Sequence, residues 1–147
     1  MKTWTPNQKS QVNALWQYAG LPSNRGVRLI HMLNQGLPVS VLDTIHEWTQ
    51  MSKSDILRVT GLNERNIARR KSAGTVLTAD ESERIARLIR VVDATVHYFG
   101  NKQDAWNWLK KPVRGLGDAT PLSLIATESG AIEVLDLLGR LEHGVFS

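Results

Sequence analysis

The chain has 147 residues, 41% hydrophobic and 22% charged, an ordinary balance for a globular protein and enough chain for one domain or two small ones. Its formal net charge of +4 is unevenly spread: residues 1–75 hold ten Lys/Arg against four Asp/Glu, residues 76–147 eight against ten, and residues 118–147 five acids and one base. There is no cysteine, which excludes disulfides, and the four histidines (His31, His46, His97, His143) are scattered, which argues against structural zinc.

The N-terminal Met-Lys-Thr-Trp-Thr-Pro-Asn lacks the apolar core of a signal peptide, and the uncharged run Ser10–Asn24 is broken by glycine, proline and polar residues. The expectation is a cytoplasmic protein without a membrane span. Val12, Leu15, Trp16 and Ala19 recur at helical spacing, and Trp4 ahead of Pro6 reads as an arm. A helix follows over Gly26–Gln35 with Val27, Leu29, Ile30 and Leu33 as its apolar stripe, ended by Gly36. Leu37-Pro38-Val39 reads as a linker, Ser40 as the cap of a helix that turns Val41, Leu42, Ile45 and Trp48 inward, and Ser52 as the cap of the next.

The most informative stretch is Asp55–Lys71. A short helix carrying Ile56, Leu57 and Val59 ends at Gly61, which accepts the left-handed conformation of a sharp stop, and Asn63 caps a second helix over Glu64–Lys71. This is the sequence form of a helix-turn-helix. With Leu62 and Ile67 facing the first helix, a rotation of about 100° per residue puts Arg65 and Arg69 on the opposite side with Asn66 beside them. Arg and Asn suit paired hydrogen bonds to base edges in the major groove. Arg70 and Lys71 lie nearer the buried side, where phosphate or helix carbonyls are their partners. The plainer alternative is an amphipathic helix with a solvated basic face.

Ser72-Ala73-Gly74 marks a boundary. Thr78 and Glu81 form a capping box opening the longest helix, with Ile85, Leu88, Ile89, Val92, Val96 and Phe99 as its buried stripe. Arg84, Arg87 and Arg90 read as a solvated face, Arg87 pairing with Glu83 one turn back. Gly100 stops this helix. Another starts at Asn101–Asp104, turns Ala105, Trp106 and Leu109 inward and ends before Pro112. Residues 113–118 read as a turn, and Thr120-Pro121 opens a short helix to Thr127. Ser129-Gly130 precedes a last helix with Ile132, Leu135, Leu138 and Leu141 inward. Val145 and Phe146 then stand at the chain end, where burying Phe146 on the fold or on a partner is worth roughly 1.5–3 kcal/mol.

No nucleophile elbow, metalloprotease helix, P-loop or dinucleotide fingerprint occurs. His143 with Glu142 and Asp136 is the one cluster of titratable groups, and it reads as a solvated helix end. The chain is expected to be a binder, not an enzyme, with no cofactor and no metal.

Residues 77–147 resemble the toxin-binding domain of the Xre/MbcA/ParS-type antitoxins. The matching pieces are Glu81-Ser82-Glu83-Arg84, Phe99-Gly100, Ala105 with Trp108-Leu109, Pro112, Leu116-Gly117, Thr120-Pro121-Leu122, Gly130 and Leu138 through Phe146. Gly61-Leu62-Asn63, Arg65, Ile67 and Arg69-Arg70-Lys71 resemble the turn and recognition helix of the same family, although Leu57 and Thr60 depart from its usual small and apolar residues. The resemblance, which covers about Gly20 to Ser147, implies an all-α fold with a helix-turn-helix DNA-binding domain (25–75) and a small helical toxin-binding domain (76–147); the Trp-bearing N-terminal segment (1–24) ahead of them is the candidate dimerisation arm. The resemblance implies an antitoxin that covers the active site of a cognate RES-domain, NAD-depleting toxin. The same protein would repress its own operon as a homodimer and would form a higher-order complex with the toxin. Operator contacts would fall on Asn63, Arg65, Asn66, Arg69, Arg70 and Lys71, and toxin contacts on Asp136, Arg140, Glu142, His143, Val145 and Phe146. The alternative is a plain helix-turn-helix regulator whose rear half dimerises or senses a ligand.

Overall fold

The computed structural model describes residues 14–144, and within them the fold is all-α. The helices are α1 (Ala14–Tyr18), α2 (Val27–Gln35), α3 (Val41–Thr49), α4 (Lys53–Thr60), α5 (Glu64–Ala73), α6 (Ala79–Phe99), α7 (Lys102–Leu109), α8 (Pro121–Leu124) and α9 (Glu128–Glu142). A 3-10 turn at Arg114–Leu116 and a single bridge between Val113 and Ala119 close the loop before α8. Trp4, Val12, Val145 and Phe146 lie outside the described residues. No helix among the described residues is long and apolar enough to cross a membrane.

α6 is the axis. The Thr78 hydroxyl accepts the Glu81 N–H and the Glu81 carboxylate accepts the Thr78 N–H, completing the capping box. From there 21 residues run through the middle of the molecule, touched by α1, α2, α4, α7 and α9. The expected single stripe is therefore too narrow. Ser82, Ala86, Val91, Asp93 and Thr95 are buried as well, because neighbours from both halves of the chain enclose the helix. One continuous apolar core extends from Leu15 to Leu138.

The arginines of α6 are likewise not a solvated face. Arg84 donates to the carbonyls of Thr60 and Gly61, Arg87 to the carbonyl of Ala126 and the carboxylate of Glu128, and Arg90 to the carbonyl of Asn24. Each fastens a distant segment end to α6, and Arg87 takes Glu128 rather than Glu83.

Four local expectations are corrected. In α2, Leu29 and Leu33 are buried while Val27 is 81% and Ile30 57% exposed; they lie about 160° and 100° round the helix from Leu29. Ser40 makes no side-chain cap: α3 begins instead with backbone bonds from Val41 to Pro38 and from Leu42 to Val39. Thr127 caps α9 through the Gly130 N–H, so Ser129 and Gly130 belong to its first turn. The buried face of α9 is Ala131, Val134, Leu137 and Leu138, and Ile132 points outward at 44% exposure.

The expected linker is pinned. The Leu37 N–H donates to the Ser82 hydroxyl at 2.8 Å and the Leu77 N–H to the Leu37 carbonyl at 2.9 Å. Leu15 and Trp16 of α1 are also interior, so their side chains serve this chain's own core.

Candidate functional site

Two surfaces emerge, one on α5 and one on α9. The first is the pair α4–α5. Ser52 caps α4 through the Asp55 N–H, Gly61 takes the left-handed conformation at φ 73°, and Asn63 caps α5 through the Asn66 N–H. Thr60 is fully buried, and its hydroxyl donates to the Ile56 carbonyl at 2.7 Å. That bond reconciles a polar side chain with a position where an apolar one is usual. Leu57 packs partly buried against the core.

Within α5 the buried anchor is Ile67, with Leu62 just ahead of the helix. Arg65 and Arg69 stand exposed on the opposite side, with the Arg69 guanidinium donating to Asn66 Oδ1 at 2.9 Å. Arg65, Asn66 and Arg69 are thus gathered on one outward face. Asn63 is engaged in capping. Lys71 is exposed on the flank towards Val39, Leu42 and the ion-paired Asp43 and Lys53.

Arg70 turns the other way. Its Nε donates to Glu81 Oε1 at 2.6 Å, on the same carboxylate oxygen that caps α6. Burial pushes the Glu81 carboxyl up, but Arg70 and the Thr78 bonds outweigh it and hold the group below the usual glutamate range. Nothing in the spacing of α5 announced this partner, since it lies eleven residues away beyond a turn.

The second surface is the outer side of α9. Asp136, Arg140 and His143 are exposed there, on one face by helical rotation. Ile132 and Glu133 share that face and were not singled out from sequence: the same rotation from Asp136 would have found them, had Ile132 not been placed in the core stripe. Glu142 is apart, on the flank facing α6, with Oε2 3.0 Å from His97 Nε2. Val145 and Phe146 fall outside the described residues. The Gly61 turn comes close to this half of the molecule: a Cβ there would lie 2.8 Å from Arg84 Nη1 and 3.8 Å from Ala126 Cβ.

Both halves of the chain match family domains of known proteins. Residues 28–90 match the antitoxin Xre-like helix-turn-helix domain, and residues 94–144 match the antitoxin Xre/MbcA/ParS C-terminal toxin-binding domain. A protein of Photorhabdus laumondii named antitoxin Xre is 49% identical over 148 residues, covering 100% of each chain. One of the same name from Yersinia enterocolitica is 47% identical over the same full extent. A third antitoxin Xre, from Pseudomonas putida, is 31% identical over 68 residues, 46% of this chain and 43% of that one.

Proposed function

The chain belongs to the Xre antitoxin family, and from that premise we propose that it neutralises a cognate toxin with the outer face of α9 and represses its own operon with α5. The proposed toxin is a RES-domain protein that depletes NAD, its active site covered by residues of the C-terminal domain. Electrostatics support this pairing. A cleft that binds the phosphates of NAD is basic, and residues 118–147 of this chain carry five acids against one base.

On the operator, α5 enters the major groove. Arg65, Asn66 and Arg69 address base edges, and Lys71 addresses phosphate. A homodimer places two copies of α5 about one DNA turn apart, roughly 34–36 Å, on a palindromic site, and binds toxin in a larger complex. The observation that carries the reading is that two exposed faces lie on different helices: Arg65, Asn66 and Arg69 on α5, and Ile132, Glu133, Asp136 and Arg140 on α9, with α5 joined to α6 by Arg70–Glu81 and α9 by Arg87–Glu128.

The test is co-purification of the chain with the product of the neighbouring gene, then NAD consumption by that product with and without the chain. Because α9 contributes Val134, Leu137 and Leu138 to the core, surface substitutions are the suitable probes and deletion of the helix is not. Ile132→Glu and Asp136→Lys are expected to release NAD consumption and leave operator binding intact. Full protection by the double variant would show that the toxin docks elsewhere.

A further inference from the structure

The recognition helix is held to the molecule by little. Ile67 is its one buried residue, and among the described residues a single ion pair or side-chain hydrogen bond joins α5 to another helix: Arg70 to Glu81 at 2.6 Å. Arg70 lies about 60° round the helix from Ile67, on the inner side, whereas Arg65 and Arg69 lie about 160° from it. The Glu81 carboxylate is itself fixed, since the same oxygen accepts the Thr78 N–H at 2.8 Å at the start of α6. Glu81 of α6 therefore meets α5 at a point away from its Ile67 anchor.

We propose that Arg70 and Glu81 are a positioning pair for operator recognition: Arg70 does not contact DNA but, through Glu81, fixes the angle at which α5 presents Arg65, Asn66 and Arg69. The proposal rests on the operator-binding reading above. Base-edge hydrogen bonds need side chains held to within about 0.5 Å and 10–20°, and the Arg70–Glu81 pair adds a third fixed point to the Leu62 and Ile67 anchors. A phosphate contact by Arg70 would require breaking its pair with a largely buried carboxylate.

The two roles separate cleanly by experiment, with duplex DNA from the promoter upstream of its own gene and affinity measured across a series of potassium chloride concentrations. Glu81→Gln keeps an acceptor for the capping box but removes the charge that holds Arg70. On charge alone, losing an acid beside a DNA-binding face strengthens binding; positioning requires the reverse. Arg70→Gln and Glu81→Gln are each expected to weaken binding about ten-fold without changing the slope of log affinity against log salt, and the double variant to be no weaker than either single one. Lys71→Gln, the phosphate comparator, is expected to reduce that slope by about 1. Equal thermal melting and retained toxin binding by Glu81→Gln would assign its loss to the angle of α5 rather than to unfolding. A slope reduced by Arg70→Gln as much as by Lys71→Gln, or unchanged affinity in Glu81→Gln, would overturn the proposal. Absence of binding by the wild-type chain would overturn it together with the operator reading.

Discussion

The carboxylate of Asp93, buried in the middle of α6, accepts the backbone N–H of Trp16 at 2.9 Å and ties the start of α1 to the core. Its other oxygen accepts the Leu15 N–H at 2.8 Å, so one side chain satisfies two donors that have no partner within α1. Desolvation pushes the Asp93 carboxyl up from 3.8 to about 6, against the pull of these two N–H groups.

A pH dependence follows with a definite sign. Because the folded pKa lies above the unfolded one, the contribution of Asp93 is fully present below pH 3.8 and is lost as pH rises to about 6. The amplitude is on the order of 3 kcal/mol, at 1.36 kcal/mol per pKa unit. Asp43, Asp55 and Glu81, whose carboxyls are held low, slope the opposite way, so the wild-type profile alone is a sum. Chemical denaturation of wild type and Asp93→Asn between pH 4 and 7 isolates the term. The advantage of wild type over the variant is expected to shrink across this interval and level off above it.

Two glycines are required by space and one is not. A Cβ on Gly36, at φ 96°, would lie 2.1 Å from the Leu77 carbonyl oxygen, and one on Gly130 would lie 1.9 Å from that of Leu124. Alanine at either site is expected to cost roughly 1–3 kcal/mol or more, since backbone must move. Gly139, within α9, has nothing within 4 Å of such a Cβ. Gly139→Ala is expected to stabilise by about 0.5–1 kcal/mol through helix propensity. Melting curves of the three variants check the ordering.

At the Arg87 clasp the carbonyl matters more than the ion pair. The Arg87 side chain is 13% exposed but that of Glu128 is 65%, so water screens their 3.2 Å contact and it contributes at most about 1 kcal/mol. The bond from Arg87 Nη1 to the Ala126 carbonyl, at 3.0 Å, carries a charged donor into a part-buried site and is worth about 1.5–3 kcal/mol. Arg87→Ala is therefore expected to destabilise well beyond Glu128→Ala in denaturant titrations.

On α5, Arg65→Ala and Arg69→Ala are each expected to lose roughly 1–3 kcal/mol of operator affinity and to relax sequence preference, without loss of toxin neutralisation. Binding to duplexes with single base changes is the measurement. Unchanged affinity in Arg69→Ala would mean that the outward face of α5 is not the reading face.

What the sequence makes legible is local. The caps Ser52, Asn63, Thr78, Asn101 and Thr120 all accept a backbone N–H three residues on, as their residue types and positions suggest, and Gly61 ends α4 as expected. The facing of Arg65 and Arg69 follows from rotation relative to Ile67. What escapes is whatever depends on the neighbour. Val27 and Ile132 look like core residues, but Leu29 and Val134 are the ones buried on these two helices, both of which pack against α6. Arg84, Arg87 and Arg90 look like solvated charges because their carbonyl partners lie 23, 39 and 66 residues away. The Arg70–Glu81 bond escapes for the same reason, its carboxylate being on another helix.

Neutralisation by the outer face of α9 is tested most directly by NAD consumption by the protein encoded beside this chain, titrated with wild-type chain and with the Ile132→Glu/Asp136→Lys variant. The wild type is expected to stop consumption at a fixed molar ratio, and the variant to fail to do so while binding operator DNA as before. If the wild type left NAD consumption unchanged, or the variant stopped it equally well, assignment of neutralisation to the outer face of α9 would be contradicted.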